Sequence, residues 1–143
     1  MGQIDKLLKI KEYKDKGYKP LIDYQTWRIA FLNYIEELLP ENINKFQRHD
    51  KTDEVFVLLK GKCILFLADG KDKIKNIYAQ DMKPLKLYNV KKSVWHSHTL
   101  SKDAIVLIVE NKDTSLINSP EKILTEGQQK IIIKHTDNLW EQY

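Results

Sequence analysis

The stretch QRHDKTDEVFVLLKG, residues 47–61, sets a His five residues before a Glu, lets the Glu open an apolar run, and ends on a Gly. In extended chain, alternate side chains share a face, so Gln47 and His49 point the same way. The polar loop DKTD follows, and Glu54 opens a strand that stops at Gly61. His49 and Glu54 are thereby expected to meet across two neighbouring strands.

The flanks of this stretch read as more short strands. TWRIAFLNYI is apolar, aromatic and β-branched, which predicts a strand over about 27–33. An amphipathic helix through FLNYIEELL is the competing reading, and Pro40 ends whichever element precedes it. LLKIKEY and YKPLIDY, joined by KDKG, form a hairpin with Gly17 at positive φ, or the first run is a short helix. Downstream, KCILFLADGKDKIKNIYA is a hairpin with Asp69-Gly70 as its turn signal. PLKLYNV is a further strand with Pro84 at its start, and VWHSH begins another after a break at Lys91 to Ser93. DAIVLIVEN is apolar on both faces over Ala104 to Val109, the pattern of a strand buried between two sheets or under a partner subunit. Many short antiparallel strands separated by turn signals point to a sandwich, jelly roll or barrel.

The tail changes period. Ser119-Pro120 is a helix-start pair, Thr125 stands three residues before Gln128 as in a capping box, and Ile132, His135 and Leu139 fall at helical spacing. A C-terminal helix packed outside the barrel is expected, with His135 a packed or surface residue rather than a ligand. The chain of 143 residues is thus read as one domain. Residues 1–24 supply N-terminal strands or a short helix, 27–111 the barrel core and 119–142 the helix.

Composition narrows the function classes. Hydrophobic residues make up 42% and charged residues 31%, ordinary for a globular protein. No apolar run approaches the roughly 20 residues of a bilayer span, and the N-terminus lacks the apolar core of a signal peptide. The single Cys, Cys63, has no internal disulfide partner, and a cytoplasmic protein is expected. The net charge is +4, but Arg28 and Arg48 are the only arginines and the lysines are interleaved with acids, which argues against nucleic acid as a partner.

If the strands line one cavity, His49, Glu54 and His96 come together, and His98 shares the face of His96. Two imidazoles and a carboxylate with open positions suit non-haem Fe, and equally Mn, Ni or Zn. Each residue also has a plainer reading. His49 and His96 could be hydrogen-bonded core histidines, and Glu54 could pair with a Lys. His98 could sit past the rim, and Gln47 could be only a polar residue at the mouth. Tyr88 and Cys63 are better read as core than as pocket wall. Trp95 should face away from His96.

These residues resemble the two motifs of small single-domain cupins. The first motif is His-x-His, three or four residues, Glu, six residues, Gly; here it reads Gln47-Arg48-His49, four residues, Glu54, six residues, Gly61. The second is Pro-x-Gly, two residues, His; here it reads Lys91-Lys92-Ser93, two residues, His96. The resemblance covers roughly residues 27–110. It implies a jelly-roll β-barrel of the RmlC type, commonly dimeric, and a metal site on His49, Glu54 and His96 with Gln47 as a weaker fourth candidate. Gln47 replaces an imidazole, and Lys91 and Ser93 replace the Pro and Gly of the second turn. The family hosts many reactions, so membership does not select one.

Three classes follow for the function. The first is a metal-dependent protein acting on a small metabolite, with His98 or Gln47 holding substrate. The second is a metal-free sugar or keto-acid isomerase or epimerase using His acid–base pairs. The third is a ligand-binding cupin without turnover. A homodimer is expected, because DAIVLIVEN and the aromatic N-terminal segments offer more apolar strand than one small barrel uses.

Overall fold

The computed structural model describes residues 2–140. Its strands are β1 (Gly17–Tyr24), β2 (Trp27–Asn33), β3 (Lys45–Gln47), β4 (Glu54–Lys60), β5 (Cys63–Ala68), β6 (Ile77–Asp81), β7 (Tyr88–Val90), β8 (Trp95–Leu100), β9 (Ile105–Asn111) and β10 (Glu121–Ile123). One helix, α1 (Glu126–Leu139), follows. The antiparallel pairs are nested: β5 with β6, β4 with β7, β3 with β8, β2 with β9. The chain is therefore one long hairpin wound on itself, which delivers successive pairs to opposite sheets. The sheets run β1-β2-β9-β4-β7 and β10-β3-β8-β5-β6. This is the jelly-roll arrangement. Among the described residues no ladder joins the two sheets, so the expected barrel is an open sandwich. The edge strands β7 and β10 have three residues each, too few to close it.

Alternation of side chains sorts the core into two layers. Ala30, Leu32, Phe56, Leu58, Val106 and Ile108 from the first sheet meet Cys63, Leu65 and Leu100 from the second. The other face of the second sheet presents Phe46, Ile64, Phe66, Ala68 and Trp95 to Ile132 of α1 and to Leu124. The helix lies outside the sandwich, as expected, and Trp95 faces away from His96 into this outer layer. Gly61 adopts φ +75°, and a Cβ there would stand 2.6 Å from Ala104 Cα, so only Gly lets the β4–β5 turn approach the start of β9.

Several local expectations are corrected. The hairpin of the N-terminal region joins β1 to β2 through Gln25 and Thr26, not LLKIKEY to YKPLIDY. The first run, residues 7–13, is instead chain outside any strand or helix, after a 3₁₀ turn at Gln3–Lys6, while Gly17 does take positive φ. β2 is the strand expected, and FLNYIEELL holds only a 3₁₀ turn, Glu36–Leu38, beyond it. Asp69-Gly70 opens a loop over 69–76 rather than a two-residue turn. PLKLYNV is a strand only at its end: Pro84 has no N–H to donate, and Leu85 is left-handed at φ 66°. Ser119-Pro120 does not start the helix. It precedes β10, and the helix begins after its N-cap Thr125, whose hydroxyl accepts from Gln128 N while Gln128 Oε1 accepts from Thr125 N. Of the span 119–142, residues 141 and 142 lie outside the described residues. Within the single chain DAIVLIVEN is not buried between two sheets: Val106 and Ile108 are in the core, whereas Ile105, Leu107 and Val109 are half-buried on the outer face, because α1 covers the other sheet.

Candidate functional site

The open end of the sandwich holds the candidate residues. β3 belongs to the second sheet and β4 to the first, so His49 and Glu54 meet across the interior, not between neighbouring strands. Gln47 is the direct cross-strand partner of His96. The loop after β3 is tied to the turn before β8. Ser93 N donates to His49 O at 2.7 Å, and Asp53 accepts from Lys92 N and Asn89 Nδ2. Ser93 is left-handed at φ 66°, in the position where the resembling motif carries Gly.

His49, Glu54 and His96 are all buried, and their ligand-type atoms lie within 4.8 Å of one another. His49 Nε2 and His96 Nε2 each stand 3.0 Å from the same oxygen, Glu54 Oε1. The far nitrogens decide the tautomers. Ser119 Oγ donates its proton to Asn118 Oδ1, so at 2.7 Å it accepts from His49 Nδ1. His96 Nδ1 donates to Val94 O at 2.9 Å. Both imidazoles thus carry a proton on Nδ1, and in their neutral forms both direct an Nε2 lone pair at a carboxylate oxygen. Three electron-rich atoms at this spacing require a cation, either protons or a metal ion. Two ligand atoms about 2.1 Å from one ion and at right angles to each other are about 3.0 Å apart, whereas a tetrahedral spread sets them at about 3.4 Å. The donor set, the spacing and the hydrogen bonds to the outer nitrogens all fit a divalent ion.

Electrostatics follow from this geometry. Burial works against a charged His49, but the hydrogen bond and charge of Glu54 outweigh it and raise its pKa. Burial likewise opposes ionised Glu54, and the two imidazoles overcome it and hold the carboxyl well below the usual range. His98 behaves differently. Burial, then the charge of His96, push it down to about 4, and among the described residues its Nδ1 has no hydrogen-bond partner. Its ring lies 5.3 Å from that of Phe56.

A cavity of about 300 Å3 contains His49, Glu54, His96, Gln47 and His98 on its walls. A neighbouring cavity of about 380 Å3 shares Gln47, His96 and His98. Gln47 and His98 therefore both face the site. Gln47 Nε2 donates to Ser119 O at 3.2 Å, which commits the amide nitrogen and leaves its oxygen available. Cys63 is buried in the core, and burial raises its thiol pKa. Tyr88 lines a separate apolar cleft with Leu65 and Leu67. His135 Nε2 donates to Ile77 O, 2.9 Å away on the outer layer, and takes no part.

The sequence reading missed one side of the cavity. Arg28 and Glu110 are cross-strand partners on β2 and β9, with Arg28 Nε 2.9 Å from Glu110 Oε2. Tyr18 OH also donates to Glu110, and Arg28 Nη2 donates to Thr114 Oγ1 at 2.7 Å. Burial and the adjacent Glu54 carboxylate raise the pKa of Glu110. The available signal was phase: alternation puts Glu110 on the same face as Val106 and Ile108, an acid where the strand is otherwise core.

No protein-family model matches the chain, and no curated protein matches it in sequence. Likeness is found among solved structures. Streptomyces PAC13, solved with uridine, is 9% identical over 83% of this chain and 97% of its own, with a TM-score of 0.53. CapF, solved with an inhibitor, is 13% identical over 76% of this chain and 32% of its own, with a TM-score of 0.54. A cupin-2 domain containing protein from Shewanella frigidimarina is 16% identical over 78% of this chain and 94% of its own, with a TM-score of 0.47. At such identities the likeness is one of fold. The nested β-pairs agree with the likeness to PAC13 and CapF: the chain has a jelly-roll fold, the fold implied by the cupin resemblance of its two motif spacings.

Proposed function

We propose that this cupin-type chain holds a divalent metal ion (Fe, Mn, Ni or Zn) on His49, Glu54 and His96 and acts on a small metabolite in the adjoining cavity. One observation carries the reading. Two imidazoles, each with its Nδ1 proton already committed, converge on one carboxylate oxygen at 3.0 Å. When bound, the metal would polarise a substrate oxygen as a Lewis acid, or support oxygen chemistry if it is iron. The chain's own groups then have separate tasks. Ser119 and the Val94 carbonyl orient the imidazoles, Gln47 offers an amide oxygen, and His98 stays neutral beside the substrate space.

Metal analysis of untagged protein tests the reading, with Glu54→Ala and His96→Ala as controls. About one ion per chain is expected in wild type, and loss of an outer partner alone costs about 10–100-fold in affinity, so each ligand variant should lose at least that. Wild type without metal would remove the proposal. The metal-free isomerase would then lead, supported by the raised pKa of His49 and the unpartnered Nδ1 of His98. A ligand-binding cupin without turnover would be separated from both by the absence of any reaction.

We also propose that the chain is a cytoplasmic homodimer of single-domain subunits. Its support is the half-buried outer row Ile105, Leu107 and Val109, and, separately, the exposed Leu8 and Ile10 of the N-terminal segment. Sedimentation at micromolar concentration showing only monomer would end the dimer proposal. Among the described residues no helix is long and apolar enough to cross a membrane.

A further inference from the structure

The wall opposite the imidazoles is charged, and its charge is arranged at a cost. An Arg–Glu pair facing the interior of a sandwich contributes little stability compared with apolar residues of similar size. Arg28 and Glu110 nevertheless occupy inward positions on two central strands, with side-chain exposures of 20% and 4%. Arg28 is held from two sides, Nε by Glu110 and Nη2 by Thr114, and its guanidinium lies over the Tyr18 ring at 5.8 Å. A guanidinium has five N–H donors. Two are used by these anchors and three remain, and Arg28 lines the cavity that also contains His49, Glu54 and His96.

Charge completes the argument. The ionisable groups lining the cavity are Glu54, Glu110, Arg28, Tyr18 and the imidazoles of His49, His96 and His98. With the three imidazoles and Tyr18 neutral and both acids ionised, the sum is −1, and a divalent ion turns it to +1. A singly charged anion neutralises that site, whereas a dianion overshoots it.

We propose that Arg28 is the anchor for the substrate, and that the substrate is a small monocarboxylic acid whose carboxylate meets the Arg28 fork while a second oxygen faces the His49–Glu54–His96 group. This rests on the metal reading and adds the substrate class to it. The cavity of about 300 Å3 suits a molecule of metabolite size. Glu110, Thr114 and Tyr18 are positioning residues: they hold the guanidinium and do not themselves need to touch the substrate.

The experiment uses Mn2+-saturated protein and two matched probes, 2-oxopropanoate and its neutral amide, with inorganic phosphate as a dianionic comparison. Manganese binding is first measured alone, and dissociation constants for the probes are then taken by calorimetry. Wild type should bind the acid at least tenfold more tightly than the amide, and more tightly than phosphate. Metal-free protein should lose that preference. Arg28→Gln should abolish it, and Arg28→Lys, which keeps the charge but not the fork, should retain part of it. Failure to bind Mn2+ overturns the metal reading and this inference together. Normal Mn2+ binding with equal affinity for acid and amide overturns only the anchor, as does an Arg28→Gln protein that keeps the preference. Tighter binding of phosphate overturns the monoanion assignment. Should Arg28→Gln not fold, the acid-to-amide ratio in wild type still decides.

Discussion

Ser119→Ala isolates the outer contact of His49. Ser119 is fully buried, and its hydroxyl is the acceptor for His49 Nδ1 at 2.7 Å. Metal binding through Nε2 demands the proton on Nδ1. In the variant that proton faces a methyl group, and leaving a buried donor unsatisfied costs about 1–3 kcal/mol. The metal-free protein has an escape: His49 can move its proton to Nε2 and donate to Glu54 Oε1, 3.0 Å away. The bound state has none. The penalty should therefore fall on affinity, weakening metal binding about 10–100-fold, or about 1.4–2.7 kcal/mol. The melting temperature of metal-free protein should move much less than that of loaded protein. Chelator competition with Mn2+ or Zn2+ gives the first quantity, and melting curves with and without metal give the second. Unchanged affinity would refute the tautomer argument. So would an equal loss of stability in both forms, because that would make Ser119 a general structural partner.

Three further outcomes are expected. Gln47→His places a third imidazole beside His96 and should tighten metal binding in the same chelator competition; equal or weaker affinity would show that the new ring does not reach the ion. Gly61→Ala forces a Cβ to within 2.6 Å of Ala104 Cα at φ +75°, and it should cost more than about 2 kcal/mol in urea unfolding or prevent folding, a result that a loss under about 0.5 kcal/mol would contradict. In metal-free protein, His49 has a folded pKa above its ordinary value of about 6.5, so its pairing with Glu54 stabilises fully below that value and is lost as pH rises through the raised one. Unfolding of wild type and His49→Gln at about pH 6 and about pH 9 should show that part of the pH dependence only in wild type; identical slopes would exclude the ion pair.

Much of the architecture is legible in local pattern, because periodicity and turn chemistry act over a few residues. Strand β2, the β4 strand ending at Gly61, the separation of Trp95 from His96 and the Thr125–Gln128 cap are all short-range statements. The grouping of His49, Glu54 and His96 rested on the two motif spacings, and the tertiary structure brings those side chains to one place. What failed was also local in origin. Ser119-Pro120 has a helix-start composition, yet the chain there is better used pairing β10 with β3 and satisfying His49. PLKLYNV alternates like a strand, but Pro84 and left-handed Leu85 leave only three residues to pair. Composition and spacing alone determined a chain of short strands, a capped C-terminal helix and the candidate His and Glu residues. Only the tertiary structure decided that His49 and Glu54 approach from opposite sheets, that Val94 and Ser119 set the tautomers, and that Arg28 and Glu110 form the facing wall. The physical reason is that these depend on which strands become neighbours, and on a backbone carbonyl that every residue possesses. Neither leaves a mark in the order of side chains.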